Sequence, residues 1–598
     1  MSAVSDAAPT TLKPVAPSVG WSDRWRTQLE VLSVVVVALV IFFLVRPMLW
    51  GHHFIGFDWY THLWYIWHQE GSIKQNLVPS LYNFNQTGVF DPHFAFYGGT
   101  LYVLAALISL VVGHVAAFAI TWIMAFVMAE GGFYWLARQA GAGPVVAHAP
   151  GVLFISSAWW LSGIYAWGSW GQAVAVASLP LVAASAIAVL RADRLRLGPA
   201  AALAFSTLMY TGSHNLTMLW ASTLSAIVLV VLFAVVPAAR RLVFQKAGLK
   251  RLALVMVPAV LVNAWFLLPD VLYQGQTLIA TNATYAEGLV TTSMNFVEAK
   301  YLFSIKYTNG MKDFTHQSAA LPLLGTVWSA VAVVLALPSW RSMWLRLALV
   351  AFAVMVVVWQ IHTRLNWILA LPSPYDRIQA PYRLQSYITL GMGFFVVCAL
   401  ALMARTRDWR RWWLVALVPA VLVTVLSAKA LVDQPLGPFY QPPWKQPRAY
   451  WAKDEPPFGA ADYVDGRLDV VQVDPTMPRV QFDAKVAQDR HKASAQVLAS
   501  PGQYVASNLK AATWLVKVDG ARIVAMDNAG NAILEVQGQP DAKGNVTVTA
   551  QAKSPWPVVG GRILTLLGLL GLAFGAVRLL RSRPAEHESA PPAPPVSA

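Results

Sequence analysis

Long apolar runs recur along this chain and constrain its fold more than any other feature of the sequence. The first of them, about residues 29–49, reads LEVLSVVVVALVIFFLVRPML. A helix that crosses a bilayer needs about 20 mostly apolar residues, and this run is long enough. Comparable runs lie at about 115–137, 145–163, 172–190, 198–213, 216–237, 252–269, 320–338, 343–361, 385–403, 412–430 and 558–578. The sequence therefore predicts a polytopic α-helical membrane protein with about 12 transmembrane helices.

The composition agrees with a membrane protein and argues against a nucleic-acid-binding role. Of the 598 residues, 57% are apolar and only 12% are charged, whereas charged residues make up about 25% of a typical soluble domain. The net charge of +15 is spread over alternate loops, where basic residues act as a topology signal. We therefore expect no nucleic-acid partner. The single cysteine, Cys398, excludes a disulfide within the chain.

The basic loops predict how the chain is oriented in the membrane. Lysine and arginine accumulate in short cytoplasmic loops, so Arg24 and Arg26 place the N-terminus in the cytoplasm and residues 50–114 outside. The run 98–112, GGTLYVLAALISLVV, is short for a span, and we interpret it as an interfacial or re-entrant helix on the outer side. The remaining basic loops then all become cytoplasmic, as does the C-terminus: Arg138, 191–196, 240–251, 341–346, 405–411 and 578–583.

This topology leaves four substantial segments outside, at 50–114, 270–319, 362–384 and 431–557. The last of them opens rich in proline and continues with alternating stretches such as VVQVD and NVTVTAQAK, which are typical of strands. We predict a cytoplasmic tail (1–28), a transmembrane module (29–430), an extracytoplasmic β-rich domain (431–557), a last transmembrane helix (558–580) and a disordered cytoplasmic tail (581–598).

Asp58 and His62, in GFDWYTHLWYIWHQE just beyond the first span, are the first candidates for a catalytic site. Ionisable residues beside apolar helices are costly, so they mark functional positions. If the stretch is helical, a spacing of four places both side chains on one face. The carboxylate can then act as a general base, with the imidazole orienting it or binding a substrate phosphate. The alternative is an interfacial helix in which Asp58 only caps the N-terminus.

The same outer segment carries Asp91 and His93 in FDPHFAFYGG. We predict that they bind substrate. Together with Asp58 they also supply carboxylate and imidazole groups of a kind that can hold a divalent cation. The alternative is an Asx-Pro turn that only ends the loop, and the spacing by itself specifies no metal.

A third candidate is the tight outer turn YTGSHNLTM, which contains His214 and Asn215. Because this turn lies between two predicted spans on the outer side, its polar side chains are predicted to contact the substrate. The alternative is a polar turn that only reverses the chain.

Three arginines form a fourth candidate: Arg364, Arg377 and Arg383 lie in an outer segment, on the side that the positive-inside rule leaves poor in basic residues. Arginine binds phosphate through two parallel hydrogen bonds, so this cluster is predicted to hold the phosphate of a donor substrate. The alternative is a set of structural arginines that extend towards the interface.

Several well-known motifs do not occur in the sequence. It contains no P-loop, no dinucleotide-binding glycine fingerprint, no HExxH and no cluster of cysteine and histidine. The predicted spans carry few acidic residues, which argues against a proton-coupled transporter. The hexapeptide GSWGQA at 168–173 indicates no particular function.

At two places the chain resembles a group of bacterial membrane proteins. The first is the order of a basic tail, one span, GFDWYTHLW and then DPHFAFYGGTLYVLAALISLVVG. The second is ATWLVKVDGARIVAMDNAGNAILEVQG before the last span. Both resemble proteins of the GT-C glycosyltransferase fold, in the group labelled 6-pyruvoyl-tetrahydropterin-synthase-related membrane proteins. The resemblance covers roughly the first 220 residues and the last 90, and the middle is similar only in hydropathy and topology.

The resemblance implies an inverting transfer of a sugar from a polyprenyl-phosphate donor to a glycan or lipid of the cell envelope, on the outer face of the bacterial plasma membrane. Asp58 matches, by position and context, the aspartate that activates the acceptor hydroxyl in GT-C enzymes. Basic residues of the outer loops would hold the donor phosphate. Many GT-C enzymes have a paired acidic motif at this loop, whereas Asp58 is followed by Trp59 and Tyr60. The sequence therefore leaves open whether a divalent cation is a cofactor.

Two other functions stay open at this stage. One is a non-catalytic protein of the same fold that assists the assembly of envelope polysaccharide. The other is a transporter or flippase of a lipid-linked substrate, although transporters commonly show two related halves and this sequence shows no internal repeat.

Overall fold

A computed structural model describes residues 23–50, 58–85, 88–282, 322–339, 342–362, 367–368, 370–377, 381–404, 411–432, 463–482 and 492–581. Most of these residues are helical, and a smaller β region is formed by strands that lie mainly between 479 and 552. Residues 1–22 and 582–598, which make up most of the predicted tails, fall outside the described residues, as does most of the 270–319 segment. Residues 23–28 of the predicted N-terminal tail belong to the first helix.

The described helices of the first half are α1 Asp23–Trp50, α2 Trp59–Asn76, α3 His93–Phe96, α4 Gly99–Val112, α5 His114–Gln139, α6 Ala149–Ile155, α7 Ala158–Ser162, α8 Trp170–Arg191, α9 Leu197–Ser213, α10 Asn215–Val235, α11 Pro237–Val243, α12 Lys246–Val262, α13 Ala264–Tyr273 and α14 Leu278–Thr281. Those of the second half are α15 Leu323–Leu335, α16 Met343–His362, α17 Gln385–Met403, α18 Arg411–Val432 and α19 Trp556–Arg581. Short 3-10 turns occupy Val146–His148, Gln274–Gln276, Leu337–Ser339, Tyr375–Arg377 and Pro381–Leu384, and a π-helical turn occupies Gly163–Trp167.

Within the described residues, seven helices are long and apolar enough to cross a membrane. They are Thr27–Leu49, His114–Gln139, Trp170–Arg191, Asn215–Val235, Met343–Ile361, Gln385–Met403 and Trp556–Arg581. These helices agree with the prediction of a polytopic helical protein and could cross a membrane. The expected 12 spans are not shown, because several of the expected runs in the described part of the chain form shorter or broken helices.

The expected span 252–269 is broken, since α12 and α13 meet at an angle of 74°. Asn263 stands at the break, and its amide nitrogen donates to the carbonyl of Leu208 at 3.0 Å and to the hydroxyl of Thr211 at 2.6 Å. The freed N–H of Trp265 donates to the Thr565 hydroxyl on α19 at 2.9 Å. A helix can break within an apolar run when neighbouring side chains satisfy the backbone groups that the break releases.

The expected span 145–163 is likewise not one helix. A turn at 156–157 separates α6 from α7, and the Ser157 hydroxyl accepts a hydrogen bond from the N–H of Trp160, as an N-cap residue does. The hydropathy of this run predicted a span because the run is apolar throughout. The two serines inside it nevertheless provide the start of a new helix.

Helix α4 has 14 residues and is therefore about 21 Å long, less than the roughly 30 Å of a bilayer core. It ends at Gly113, whose φ of +84° is a backbone conformation that favours glycine. This length agrees with the interpretation of 98–112 as a helix that does not span. Its position relative to the membrane stays a prediction.

The β region comprises β3 Arg479–Val480, β4 Lys492–Leu498, β5 Tyr504–Lys510, β6 Val516–Asp519, β7 Ala521–Met526, β8 Asn531–Val536 and β9 Asn545–Ala552, and two further strands lie between α2 and α3, β1 Asn83–Asn85 and β2 Gly88–Asp91. Among the described strands, β4, β9 and β6 form one antiparallel sheet, and β1, β2, β5, β8 and β7 form another in that order, with β3 also paired to β5. The second sheet therefore includes strands from the segment that follows the first span. Strand β2 runs parallel to β5, with Val89 opposite Leu509.

The segment between α2 and α4 shares its hydrophobic core with the β region. Phe84, Val89 and Phe90 are almost completely buried, and they belong to the same cluster as Val505, Leu509 and Phe482 of the β region. The aromatic rings of Phe84 and Phe90 pack edge to face at 4.7 Å. The β region is thus anchored to the helical bundle by strand pairing and by apolar packing.

We predict that Phe84→Ala destabilises the β region, although residue 84 lies about 400 positions away from it in the sequence. Removing a buried phenylalanine costs about 3–5 kcal/mol. Hydrogen exchange of the β5 amides should therefore become faster. Leu498→Ala is the control, because Leu498 is 69% exposed and its truncation should change stability by no more than about 0.5 kcal/mol. Unchanged protection of β5 in the Phe84 variant would contradict the shared core.

Candidate functional site

Asp58 stands directly before α2, at the N-cap position. Its backbone has φ −89° and ψ −1°, and its side chain makes no capping hydrogen bond, although a carboxylate at this position commonly caps the helix. If Asp58 served only to cap the helix, its side chain would make this hydrogen bond, and the structure does not show it. Asp58 is half-buried.

The position of Asp58 is fixed by its neighbour Trp59. The indole N–H of Trp59 donates to the carbonyl of Ile164 at 2.9 Å, and its ring packs edge to face against Phe118 at 5.0 Å. Gly168 also lies against the Trp59 side chain. It has a φ of +71°, and a Cβ at this position would lie 2.3 Å from Cδ1 of Trp59. A residue with any side chain at 168 would therefore displace the start of α2.

Burial and the charge of Arg383 shift the pKa of the Asp58 carboxyl group in opposite directions. Burial raises the pKa of Asp58 from 3.8 to about 6, and the nearby Arg383 guanidinium lowers the pKa only in part. The loss of water is therefore the larger effect. At pH 7 the group is still mostly ionised, because its pKa is about one unit lower. A carboxylate with a pKa near the working pH is suited to accept a proton.

Arg383 reaches this position from the 3-10 turn Pro381–Leu384, which leads into α17. Its carbonyl oxygen accepts hydrogen bonds from Gln172 Nε2 at 3.2 Å and from the Ser386 hydroxyl at 2.6 Å. Of the three arginines that the sequence indicated, Arg364 lies outside the described residues, as does the side chain of Arg377. Within the described residues the structure therefore brings one arginine of the three to Asp58.

His62 is buried one turn into α2, and its Nδ1 lies 2.7 Å from the Tyr102 hydroxyl. Its ring packs among Phe118 and Trp170. Burial lowers the pKa of His62 to about 3, against a smaller opposite effect of a hydrogen bond with the Gly168 backbone. The imidazole is therefore neutral at physiological pH. In this arrangement its partner is a tyrosine, so the structure places it as a packed neighbour of the Asp58 turn.

Asp91 and His93 lie at the end of β2 and the start of α3. His93 is half-buried, and its ring stacks on Tyr65 at 4.4 Å and lies 4.9 Å from the ring of Tyr97. Burial lowers the pKa of His93 to about 3, and His62 adds to this effect. Asp91 is buried, and its charge raises the pKa of Lys510 on β5 while burial lowers it more strongly. Asp91 thus faces the β region, whereas His93 faces the tyrosines.

His214 and Asn215 form the turn between α9 and α10. The imidazole Nδ1 of His214 accepts from the N–H of Thr217 at 3.1 Å, which caps α10, and its ring packs edge to face with Tyr97 at 5.3 Å. Burial lowers the pKa of His214, and the charge of Arg383 lowers it further. The amide nitrogen of Asn215 donates to the Phe96 carbonyl at 2.8 Å and to the Asp270 carboxylate at 2.6 Å. This turn therefore joins three elements around the site.

Three tyrosines lie close enough to Asp58 for its charge to raise their pKa values, and no sequence pattern singled them out: Tyr65, Tyr97 and Tyr102. Burial raises the pKa of Tyr97 to about 12, and the charges of Arg383 and Asp58 act on it in opposite directions. Burial likewise raises the pKa of Tyr65, and the charges of Asp91 and Asp58 and the hydroxyl of Tyr463 add to this effect. The hydroxyl groups of these three tyrosines are therefore un-ionised.

The hexapeptide GSWGQA, which indicated no function from its letters alone, contributes to the site. Gly168 contacts Trp59, and Gln172 binds the carbonyl of Arg383. Gly171 leaves room for the carbonyl oxygen of Ser213, which a Cβ at 171 would approach to 2.6 Å. Two glycines spaced three apart at the start of a helix are the signal that could have indicated these close backbone contacts.

Within the described residues, no group of three or more His, Cys, Asp and Glu side chains is placed so that it could hold a metal ion. Asp58, Asp91 and His93 thus do not converge as one set of ligands. A divalent cation as cofactor stays a hypothesis.

A comparison of the chain with protein-family models finds no match, and a comparison with curated proteins finds none either. The function of the site is therefore inferred from its geometry and from the residues that form it.

We predict that Gly168→Ala disturbs the site and lowers stability. Alanine at a positive φ costs about 1–2 kcal/mol, and its methyl group would clash with Trp59. Thermal unfolding of the protein in detergent measures the loss. Gly163→Ala is the matched control, because no heavy atom lies within 4 Å of a Cβ at 163. If both variants unfolded at the wild-type temperature, Gly168 would not constrain the Asp58 turn.

We also predict that Asp58→Asn raises thermal stability at neutral pH. The pKa of Asp58 is about 6 in the folded protein and 3.8 without burial, so folding disfavours its ionised form. This penalty is absent below pH 3.8, grows as the pH rises and is complete above about pH 6. The gain from Asp58→Asn should accordingly be larger at pH 7.5 than at pH 4. An equal or opposite change at the two pH values would show that the carboxylate is not held in a destabilising environment.

Proposed function

We propose that this protein is a membrane glycosyltransferase of the GT-C type, which transfers a sugar from a polyprenyl-phosphate donor to a glycan or lipid acceptor of the cell envelope. The observation that carries the proposal is the state of Asp58: its carboxylate makes no capping bond, its pKa is raised by burial, and the charge of Arg383 acts on it. A base next to a fixed positive charge is what a sugar transfer from a phosphate requires.

Asp58 acts in the reaction as the base. Its carboxylate accepts the proton of an acceptor hydroxyl while the hydroxyl oxygen forms a bond with the anomeric carbon of the donor sugar. The bond between that carbon and the phosphate oxygen breaks, and its electron pair leaves with the polyprenyl phosphate. Attack from the face opposite the phosphate inverts the anomeric carbon, and the Asp58 proton passes to water afterwards.

Arg383 acts on the leaving group. The phosphate oxygen gains negative charge as its bond to carbon breaks, and a guanidinium placed there beforehand stabilises that charge. The carbonyl of Arg383 is held by Gln172 and Ser386, so the arginine turn is fixed before a donor binds.

The topology that we propose places this chemistry on the outer face of a bacterial plasma membrane, with both termini in the cytoplasm. The helices that we propose as spans are the seven long helices, the bent pair α12–α13, the shorter α9 and α15, and the 22-residue α18. The basic loops support the orientation through the positive-inside rule. A lipid-linked donor then presents its sugar where Asp58 and Arg383 lie.

Transfer by the full-length protein in proteoliposomes, with a panel of polyprenyl-phosphate sugars and an envelope glycan extract as acceptor, tests the proposal. We expect Asp58→Asn to lower kcat by about 10²–10⁴-fold, since it removes the base. Asp193→Asn should leave the rate unchanged, because Asp193 is an exposed residue of a distant loop. Arg383→Gln should also slow transfer, through the loss of charge at the leaving phosphate.

The pH profile gives a second measurement in the same assay. The base works only when it is ionised, so the rate should fall as the pH drops through about 6, the pKa of Asp58. Full transfer by Asp58→Asn would remove Asp58 from catalysis and favour a non-catalytic protein of the same fold. No transfer from any donor, by the wild-type protein, would argue against the function itself.

A further inference from the structure

Tyr463 belongs to the segment that leads into the β region, yet its ring lies among the residues of the site. It is half-buried. Its ring stacks on Phe96 at a centroid distance of 5.4 Å and an interplanar angle of 10°, and it meets the ring of His93 edge to face at 5.8 Å. A side chain from a distant part of the sequence therefore completes one side of the site.

The backbone around Tyr463 is held firmly on both sides. On one side, the N–H of Leu278 donates to the carbonyl of Val464 at 2.9 Å, and the N–H of Gly466 donates to the carbonyl of Gln276 at 2.9 Å. On the other side, the N–H of Asp465 donates to the carbonyl of Ala511 at 2.7 Å. Tyr463 is thus positioned by the end of the bent helix pair and by the β region together.

The buried carboxylate of Asp465 adds a second anchor. It forms an ion pair with Arg467 at 2.7 Å and a short hydrogen bond with the Thr513 hydroxyl. The guanidinium of Arg467 in turn lies over the ring of Trp514 at 5.7 Å. Side chains held by several independent contacts are suited to recognition, because little conformational freedom is lost on binding.

A sequence of contacts connects Tyr463 with the residues assigned to the chemistry. The charges of Arg383 and Asp58 both act on the Tyr97 hydroxyl. The ring of His93 lies 4.9 Å from that of Tyr97 and 5.8 Å from that of Tyr463. The contacts thus lead from the arginine, past the carboxylate, to the β region. If Arg383 binds the donor phosphate, Tyr463 lies on the side of the site that faces the β region.

We propose that Tyr463 binds the acceptor sugar and thereby contributes to the choice of acceptor. A tyrosine offers an apolar ring face for the C–H groups of a sugar and a hydroxyl for its polar groups. The proposal rests on the proposed function, since it assigns the acceptor of that same reaction. It gives the β region a direct role in the site.

Photocrosslinking in cells tests the contact without requiring turnover. The full-length protein carries a benzophenone amino acid in place of Tyr463, and irradiated protein is stained for carbohydrate with periodate. We expect a carbohydrate-bearing adduct, both in the wild-type background and together with Asp58→Asn. The same photoreactive residue in place of Tyr504, a tyrosine of β5 that is 52% exposed, should give no such adduct.

Kinetics of Tyr463→Ala give the second measurement, with Tyr504→Ala as the control. We expect the KM for the acceptor to rise about tenfold, while the KM for the donor and kcat stay within about twofold. A side chain that only supports the fold would instead change all three values or lower the melting temperature. Tyr463→Phe separates the hydroxyl from the ring and should give an intermediate KM.

The two proposals can fail separately. Transfer that depends on Asp58, with no carbohydrate adduct at 463 and an unchanged acceptor KM in Tyr463→Ala, would overturn the role of Tyr463 and leave the function intact. A carbohydrate adduct at 463 in a protein that transfers no sugar would support the contact and reject the function.

Discussion

The pairing of β2 with β5, and the core that the two strands share, is the constraint on which the site depends. Strand β2 ends at Asp91, and His93 follows two residues later at the start of α3. The position of His93 among the tyrosines is therefore set by a strand that belongs to a sheet of the β region. Because Val89 and Phe90 are completely buried in the shared core, the helical bundle and the β region cannot separate without exposing them.

The conformation of Phe90 shows how tightly this connection is made. Its φ of +57° lies in a region that bulky side chains rarely adopt, and such a residue costs about 1–3 kcal/mol. The packing of its ring against Tyr82 and Phe84 offsets that cost. The strain falls inside β2, directly before Asp91, whose charge acts on Lys510.

The sequence was sufficient for the parts of the site that lie close to predicted spans. Asp58, His214 and Arg383 each stand within a few residues of a long apolar helix, so hydropathy and the positive-inside rule indicated them together. Tyr463 could not be predicted, because its proximity to His93 arises from a strand pairing between residues about 400 positions apart. The breaks at 156–157 and at Asn263 were also missed, since single polar residues inside an apolar run hardly change its mean hydropathy.

The segment 163–172 contacts both Trp59, the neighbour of Asp58, and the backbone of Arg383. Its π-helical turn offers the carbonyl of Ile164 to the Trp59 indole, and Gly168 then holds the same ring from another side. A few residues later, Gln172 binds the carbonyl of Arg383. One short segment therefore contacts the residue after Asp58 and the backbone of Arg383. The turn Gly163–Trp167 is π-helical, a backbone conformation that is frequent at functional sites, and the contact that it makes with this part of the molecule is the bond from the Trp59 indole to its Ile164 carbonyl.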